Sequence, residues 1–200
     1  MVIDANGCTT ESTVNIESAK PIEITVTSEM VLDLGDSVTI ETRTNLTDTE
    51  IADVQWTPSI GLSCDDCIDP IAQPLNSQQY QVNIIDNNGC DASATVNFLV
   101  NSNPQVYVPT AFSPNNDGFN DRITIFAKNS VQQIRTFRVF NRWGSLVYEK
   151  ENFAPNDESL GWDGRFDRQK LSPQVFIYFA EVEMINGEEI ILKGDFALME

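Results

Sequence analysis

The sequence predicts an all-β protein built as two consecutive β-sandwiches, and three observations predict it. Short apolar runs alternate with polar residues at period two, as at Ile22, Ile24 and Val26 and again at Tyr80, Val82 and Ile84, which is the pattern of half-buried strands. Turn residues separate those runs: Leu-Gly-Asp at 34–36, Thr-Pro-Ser at 57–59 and Asp-Pro at 69–70. A segment near the start also recurs 82 positions later, since VIDANGCTTESTVNI at 2–16 matches IIDNNGCDASATVNF at 84–98.

In that repeat Ile3/Ile85, Asp4/Asp86, Asn6/Asn88, Gly7/Gly89, Cys8/Cys90, Thr13/Thr95, Val14/Val96 and Asn15/Asn97 are identical, 8 of 15 positions. A period of 82 suits one immunoglobulin-like sandwich. Each copy predicts a hairpin, because Asn-Gly between β-rich runs supplies the positive φ angles of a tight reversal. The first copy is therefore expected to close an earlier repeat. Residues 1–16 lack the basic start and apolar middle of a secretory signal, and the chain is expected to be a piece of a longer one.

Further strands are predicted around Val38 and Ile40 and around Val54 and Trp56. Trp56, alone on an alternating strand, is expected in the core. NSNPQ at 101–105 is a polar, proline-containing break. Beyond it the composition shifts: ten of the eleven phenylalanines follow Ser102, all but Phe98. The expected organisation is residues 1–20 as the end of a preceding Ig-like repeat, 21–102 as a complete repeat and 103–200 as a second domain.

The second half predicts strands at 123–127, 134–140, 146–149, 175–184 and 189–199. In the last, Ile190, Leu192, Phe196 and Leu198 share one face while Lys193 and Asp195 take the other. In 175–184, Phe176, Tyr178, Ala180, Val182 and Met184 suit a core. Val175, Ile177 and Phe179 then lie opposite, and burial under a loop is expected there, with a docking patch as the alternative.

Charge and composition exclude several function classes. Lys and Arg total 12 against 30 Asp and Glu, a net charge of −18, and a polyanion of this kind repels nucleic acid and anionic lipid. Histidine is absent, which removes Ser-His-Asp and Cys-His catalysis and every imidazole metal ligand. No apolar run of about 18 residues exists to span a bilayer. No nucleophile and base can be paired, so an enzyme is not expected.

The run WTPSIGLSCDDCIDPIAQPLNSQQYQVNIIDNNGC at 56–90 resembles the PKD-like or Ig-like repeats of large Bacteroidetes surface proteins. Cys64 and Cys67 form a C-x-x-C. A zinc knuckle needs four ligands, and only Cys90 lies in the same repeat with no histidine to complete the set. A thioredoxin-type motif belongs at a helix start in an α/β fold. In the exported, oxidising setting that the resemblance implies, a Cys64–Cys67 disulfide is expected. The partners of Cys8 and Cys90 cannot be read.

Four signatures follow in order in the second half: AFSPNNDGFND at 111–121, FNRWGSLVYE at 140–149, GWDG at 161–164 and KGDFAL at 193–198. Together they resemble the gliding motility-associated C-terminal domain, the type B sorting domain of the type IX secretion system. Its first motif falls on Phe112, Ser113, Pro114, Asn115, Asp117, Gly118, Asn120 and Asp121. The second falls on Asn141, Arg142, Trp143 and Gly144, the third on Trp162, Asp163 and Gly164, the last on Lys193 and Gly194. The chain departs where the family usually has Pro-x-Gly-x-Tyr, here Pro173, Gln174, Val175 and Phe176, and it ends in Met199-Glu200.

Physically these motifs read as scaffold, with Asn141 to Gly144 and Asp163-Gly164 as turns and the indoles of Trp143 and Trp162 available to pack. The 111–121 segment, between its apolar anchors Phe112 and Phe119, raises a separate question. Laid on an EF-hand loop, Ser113, Asn115 and Asp117 take positions one, three and five, Gly118 six and Asp121 nine. Position one lacks a carboxylate and position twelve is Thr124. The favoured reading is a turn whose Asn and Asp side chains bond the backbone; the alternative is calcium held by Asn115, Asp117 and Asp121.

The resemblance implies a non-enzymatic module for sorting and surface attachment, carried by a large adhesin-like protein associated with gliding. It implies the type IX machinery as partner, with a PorP/SprF-like outer-membrane β-barrel and a PorV-type shuttle, and residence at the cell surface. The competing reading is a calcium-dependent module that binds a glycan or adhesion ligand through carboxylates and exposed aromatics.

Overall fold

The structure is a computed structural model that describes residues 2–3, 5–10, 13–14 and 20–200. Asp4 and Asn15 of the repeat match lie outside the described residues. Of the first copy, Val2–Ile3 pairs antiparallel with Thr9–Thr10 across a turn in which Gly7 has φ +82°.

The apolar residues collect in two cores. The N-terminal one rests on a four-stranded sheet of β1 (Glu29–Asp33), β2 (Ile51–Thr57), β3 (Gln78–Asp86) and β4 (Asp91–Asn101). Their order is β1-β4-β3-β2, with β1 parallel to β4 and the other neighbours antiparallel. Two short pairs, Ile24–Thr25 with Arg43–Thr44 and Val38–Thr39 with Ile71–Ala72, face this sheet and close the sandwich. Alternation places Val54 and Trp56, Tyr80, Val82 and Ile84, and Val96 and Phe98 inside. Trp56 is buried, as its strand position requires, and its indole N–H donates to Cys67 O at 2.9 Å. The DNNG turn between β3 and β4 is closed by Asp86, whose Oδ1 accepts from Asn88 N and Cys90 N at 2.8 Å each.

The C-terminal core rests on a five-stranded sheet of β5 (Ala111–Phe112), β6 (Val131–Phe140), β7 (Leu146–Phe153), β8 (Gln174–Met184) and β9 (Glu189–Leu198). The order is β5-β9-β8-β6-β7, with β5 parallel to β9 and the remaining pairs antiparallel. β6 has register shifts near Gln133 and Thr136. These irregularities let Ile134 and Phe137, three residues apart, both face inward. The opposite layer is made of short pairs, loops and a 3₁₀ turn at Glu158–Leu160.

One predicted strand differs. Within 123–127 only Phe126–Ala127 pairs, with Val106–Tyr107. Ile123 and Ile125 are still fully buried, and Ile123 bridges to Trp162. Alternation fails there, because Thr124 between them is fully buried as well, and apart from the single bridge at Ile123 the segment has no partner strand until Phe126.

Candidate functional site

The first, third and fourth signatures meet in one place. Phe112 on β5 has its ring centroid 5.7 Å from Trp162 and 5.8 Å from Phe196 on β9. Trp162 in turn lies 4.8 Å from Phe176 in an edge-to-face arrangement, a geometry favoured by the ring quadrupoles. Trp162 is 2% exposed and its indole N–H donates to Arg165 O at 2.8 Å. The main chains of Trp162 and Ile123 exchange both bonds at 2.9 Å. Gly164 has φ +76°, and a Cβ there would stand 3.2 Å from Pro114 Cγ and 3.1 Å from Leu198 Cδ1. The glycine thus gives both the left-handed turn and the close approach of β9 and the first loop. Gly161 and Arg122 belong to the same assembly: a Cβ on Gly161 would meet Ile123 O at 2.7 Å, and Arg122 Nη1 donates to Gly161 O at 2.9 Å.

The 113–121 loop is closed by its own side chains. Asp121 Oδ1 accepts from Asn116 N at 2.6 Å and its Oδ2 from Gly118 N at 2.9 Å. Asp117 Oδ1 accepts from Phe119 N at 2.8 Å, its Oδ2 from Asn115 Nδ2 at 2.9 Å, and Asn115 Oδ1 from Asp117 N at 3.0 Å. The donation from Asn115, followed by that from Phe119, lowers the Asp117 carboxyl below its ordinary value. Each carboxylate oxygen of the pair therefore already accepts a hydrogen bond within the loop. Of the two apolar anchors the sequence suggests, only Phe112 is one; Phe119 is 76% exposed at the tip.

The second signature makes the turn between β6 and β7. Asn141 Oδ1 accepts from Trp143 N and Ser145 N at 3.0 Å each, and Gly144 takes φ +80°. Trp143 does not pack into the core: it is 71% exposed, with the Arg142 guanidinium 4.4 Å from its ring centroid.

Among the described residues, no loop covers Val175 and Ile177 on the outward face of the five-stranded sheet. Val175, Ile177 and Ile191 are each more than half exposed while Phe179 is half-buried, so at Val175 and Ile177 the expectation of burial gives way to an open apolar surface. Across the strands Leu146, Phe140 and Ile177 stand in register as an apolar row. One pleat further along, Glu149, Arg138, Phe179 and Lys193 form a second row, in which Arg138 Nε donates to Glu149 Oε1 at 2.6 Å. At the fourth signature, Lys193 is exposed on this face while Gly194 faces the core beneath Tyr178.

Chemically, these groups bind and brace. Burial pushes the Tyr148 hydroxyl up to about 12, and it donates to Leu160 O, so it cannot exchange a proton near neutrality. Glu183 is held below its ordinary value by donation from Gln133, then from Arg135. Among the described residues, no group of three or more His, Cys, Asp or Glu is placed to hold a metal ion. In the N-terminal sandwich Cys64 and Cys67 are joined as a disulfide, and Cys90 is a half-buried free thiol.

Residues 106–195 match the family described as "CHU_C Type IX secretion signal domain". No curated protein matches the chain. Among solved structures it is similar to SGBP-B of the Bacteroides ovatus mixed-linkage glucan utilization locus, in complex with a mixed-linkage heptasaccharide, at 10% identity and TM-score 0.36 over 91% of this chain and 48% of that one. It is also similar to murine CEACAM1b, at 12% identity and TM-score 0.31 over 88% and 100%. Latent PorU from Porphyromonas gingivalis gives 11% identity and TM-score 0.32 over 90% and 20%. The chain spans about half the length of the SGBP-B structure and a fifth of the PorU one.

Proposed function

We propose that the C-terminal sandwich, whose residues 106–195 match the CHU_C type IX secretion signal family, is a non-enzymatic sorting and surface-attachment module of an adhesin-like protein. The family match is the observation that carries this reading. The geometry supports it, because three of the four signatures build one rigid core and leave the second turn and an open sheet face to meet a partner. A large, flat, partly apolar surface with charged margins is what protein recognition uses. The partners proposed are an outer-membrane β-barrel of the PorP/SprF type and a PorV-type shuttle, with the exported product held at the outer membrane and the N-terminal sandwich serving as stalk.

The competing calcium-dependent glycan module would draw on Trp143, Trp162 and the 111–121 carboxylates, and of these Trp143 is exposed, on the turn between β6 and β7 away from the loop. Trp162 is buried and those carboxylates brace the loop, so the sorting reading is favoured. The test fuses residues 21–200 to the C-terminus of a secreted reporter in a type IX-competent cell. Surface-exposed reporter is expected. A folded fusion retained in the periplasm overturns the proposal.

A further inference from the structure

The turn after β1 belongs by sequence to the N-terminal sandwich, yet its apolar residue is buried elsewhere. Leu34 is 3% exposed and is part of the C-terminal core cluster, not of the N-terminal one. Val100, near the end of β4, packs against the same cluster. Gly35, at φ +92°, lies so close to the turn at 128–131 that a Cβ would stand 2.6 Å from Asn129 O and 2.7 Å from its carbonyl carbon. These are main-chain atoms, so no side-chain motion could relieve the clash.

Polar contacts hold the same turn from both sides. Leu34 N donates to Asn101 O at 3.0 Å. The Asp33 carboxylate accepts from Asn101 Nδ2 at 3.0 Å and from Gln105 Nε2 at 3.3 Å, while the Gln105 carbonyl accepts from Lys128 N at 3.1 Å. Gln73 Nε2 donates to Gly35 O at 2.9 Å and ties the turn back to its own sandwich. A polar, proline-containing segment ordinarily lets two domains move. Here an apolar side chain crosses the boundary into the neighbour's core, and leaving it in water would expose both leucine and socket.

We propose that the Asp33–Gly35 turn is a docking element seated in a socket on the C-terminal sandwich, lined at its rim by the 128–131 turn. The repeat and the sorting domain are then one rigid body from about residue 21 to 200, beyond the 106–195 family match. The inference rests on the contacts and not on the sorting reading.

The test lengthens the connection in the 21–200 chain by inserting ten Gly/Ser residues between Ser102 and Asn103. With the turn seated, the two sandwiches stay docked, and the maximum dimension from small-angle X-ray scattering is expected to stay within a few ångströms of the parent's. Adding Leu34→Asp to the inserted chain is expected to release them, with a longer maximum dimension and at least tenfold faster amide exchange at Asn129 to Val131. Exchange at Tyr80 to Ile84, in the N-terminal core, is expected to be unchanged, which separates undocking from unfolding. Gly35→Val should act like Leu34→Asp, and Val31→Asp, at an exposed position of β1, should not. If the insertion alone frees the sandwiches, or if Leu34→Asp and Gly35→Val leave the lengthened chain compact, the proposal fails. Neither readout involves export, so this failure and a failure of the sorting reading are distinguishable.

Discussion

Tyr178 on β8 and Gly194 on β9 stand directly opposite each other, and the tyrosine ring lies over the glycine: a Cβ at Gly194 would be 2.7 Å from Tyr178 Cε1. The ring is held there by Phe196, 6.3 Å away and stacked, and by Phe137 at 6.2 Å. A glycine within a strand is ordinarily a weakness, but covering it with a cross-strand aromatic restores the buried contact. The glycine of the fourth signature is thus a packing requirement. Gly194→Ala is expected to destabilise the C-terminal sandwich by about 1–3 kcal/mol through overpacking, lowering its melting temperature by several degrees. In a Tyr178→Ala background the same change should be neutral or stabilising, since alanine suits a strand better than glycine. A cycle in which the two effects simply add would show that the ring does not require the glycine.

The two tryptophans of the signatures are expected to separate stability from recognition. Trp162→Ala removes a buried ring and should cost about 3–5 kcal/mol. Trp143→Ala removes an exposed one and should change stability by less than about 0.5 kcal/mol. If the β6–β7 turn meets a partner, Trp143→Ala lowers surface display of the reporter while the melting curve stays in place. Unchanged display would remove Trp143 from the recognition surface.

The contrast shows what was legible in the sequence. Period two predicted the strands and placed Trp56, Phe176 and Phe196 inside, because alternation alone decides the face of a regular strand. It could not separate Trp143 from Trp162, since both sit in turns where no period applies, and Trp162 is buried by the bridge to Ile123, 39 positions away. For Val175 and Ile177 both parities of β8 are apolar, so the pattern shows two faces without saying which is covered. Leu34 was legible as a turn residue, but its burial in another sandwich depends on a contact at sequence distance, which local chemistry does not encode.

Acid is expected to loosen the first loop. The Asp117 carboxyl is lowered in the folded state, so its contribution is present above the unfolded value and lost as pH falls through the folded one. The window lies below about pH 4, where free aspartate protonates. Amide exchange at Phe119, whose N–H the carboxylate accepts, should accelerate there relative to Phe176 in the core. Calcium, by contrast, is expected to leave the melting temperature in place at neutral pH. Binding at a hundredfold excess over Kd would add about 2.7 kcal/mol, several degrees for a domain of this size. A shift that large, lost in Asp117→Ala, would make the loop a metal site.

The last strand carries the argument furthest. β9 lies inside the sheet, antiparallel to β8 along its whole length and parallel to β5, with Met199 N donating to Phe112 O and Ala197 N to Thr110 O at 2.9 Å each. Phe196 and Leu198 are each 1% exposed, while Ile190 and Leu192 pack partly buried against the same core. Full burial of such a side chain contributes roughly 1.5–3 kcal/mol, against a total stability of about 5–15 kcal/mol. Deleting residues 190–200 removes these together and leaves Phe112 without the strand that positions it, so the C-terminal sandwich is expected to unfold and display to be lost. The N-terminal core, which includes none of these residues, should still melt cooperatively, as followed through Trp56 emission in a background where Trp143 and Trp162 are replaced by phenylalanine. Lys193→Glu and Glu200→Lys change exposed groups alone and should keep the fold; a loss of display confined to Lys193→Glu would place the partner on the outward face of β9. A truncated chain that keeps both its melting transition and its display would refute the structural and the sorting role of this strand alike.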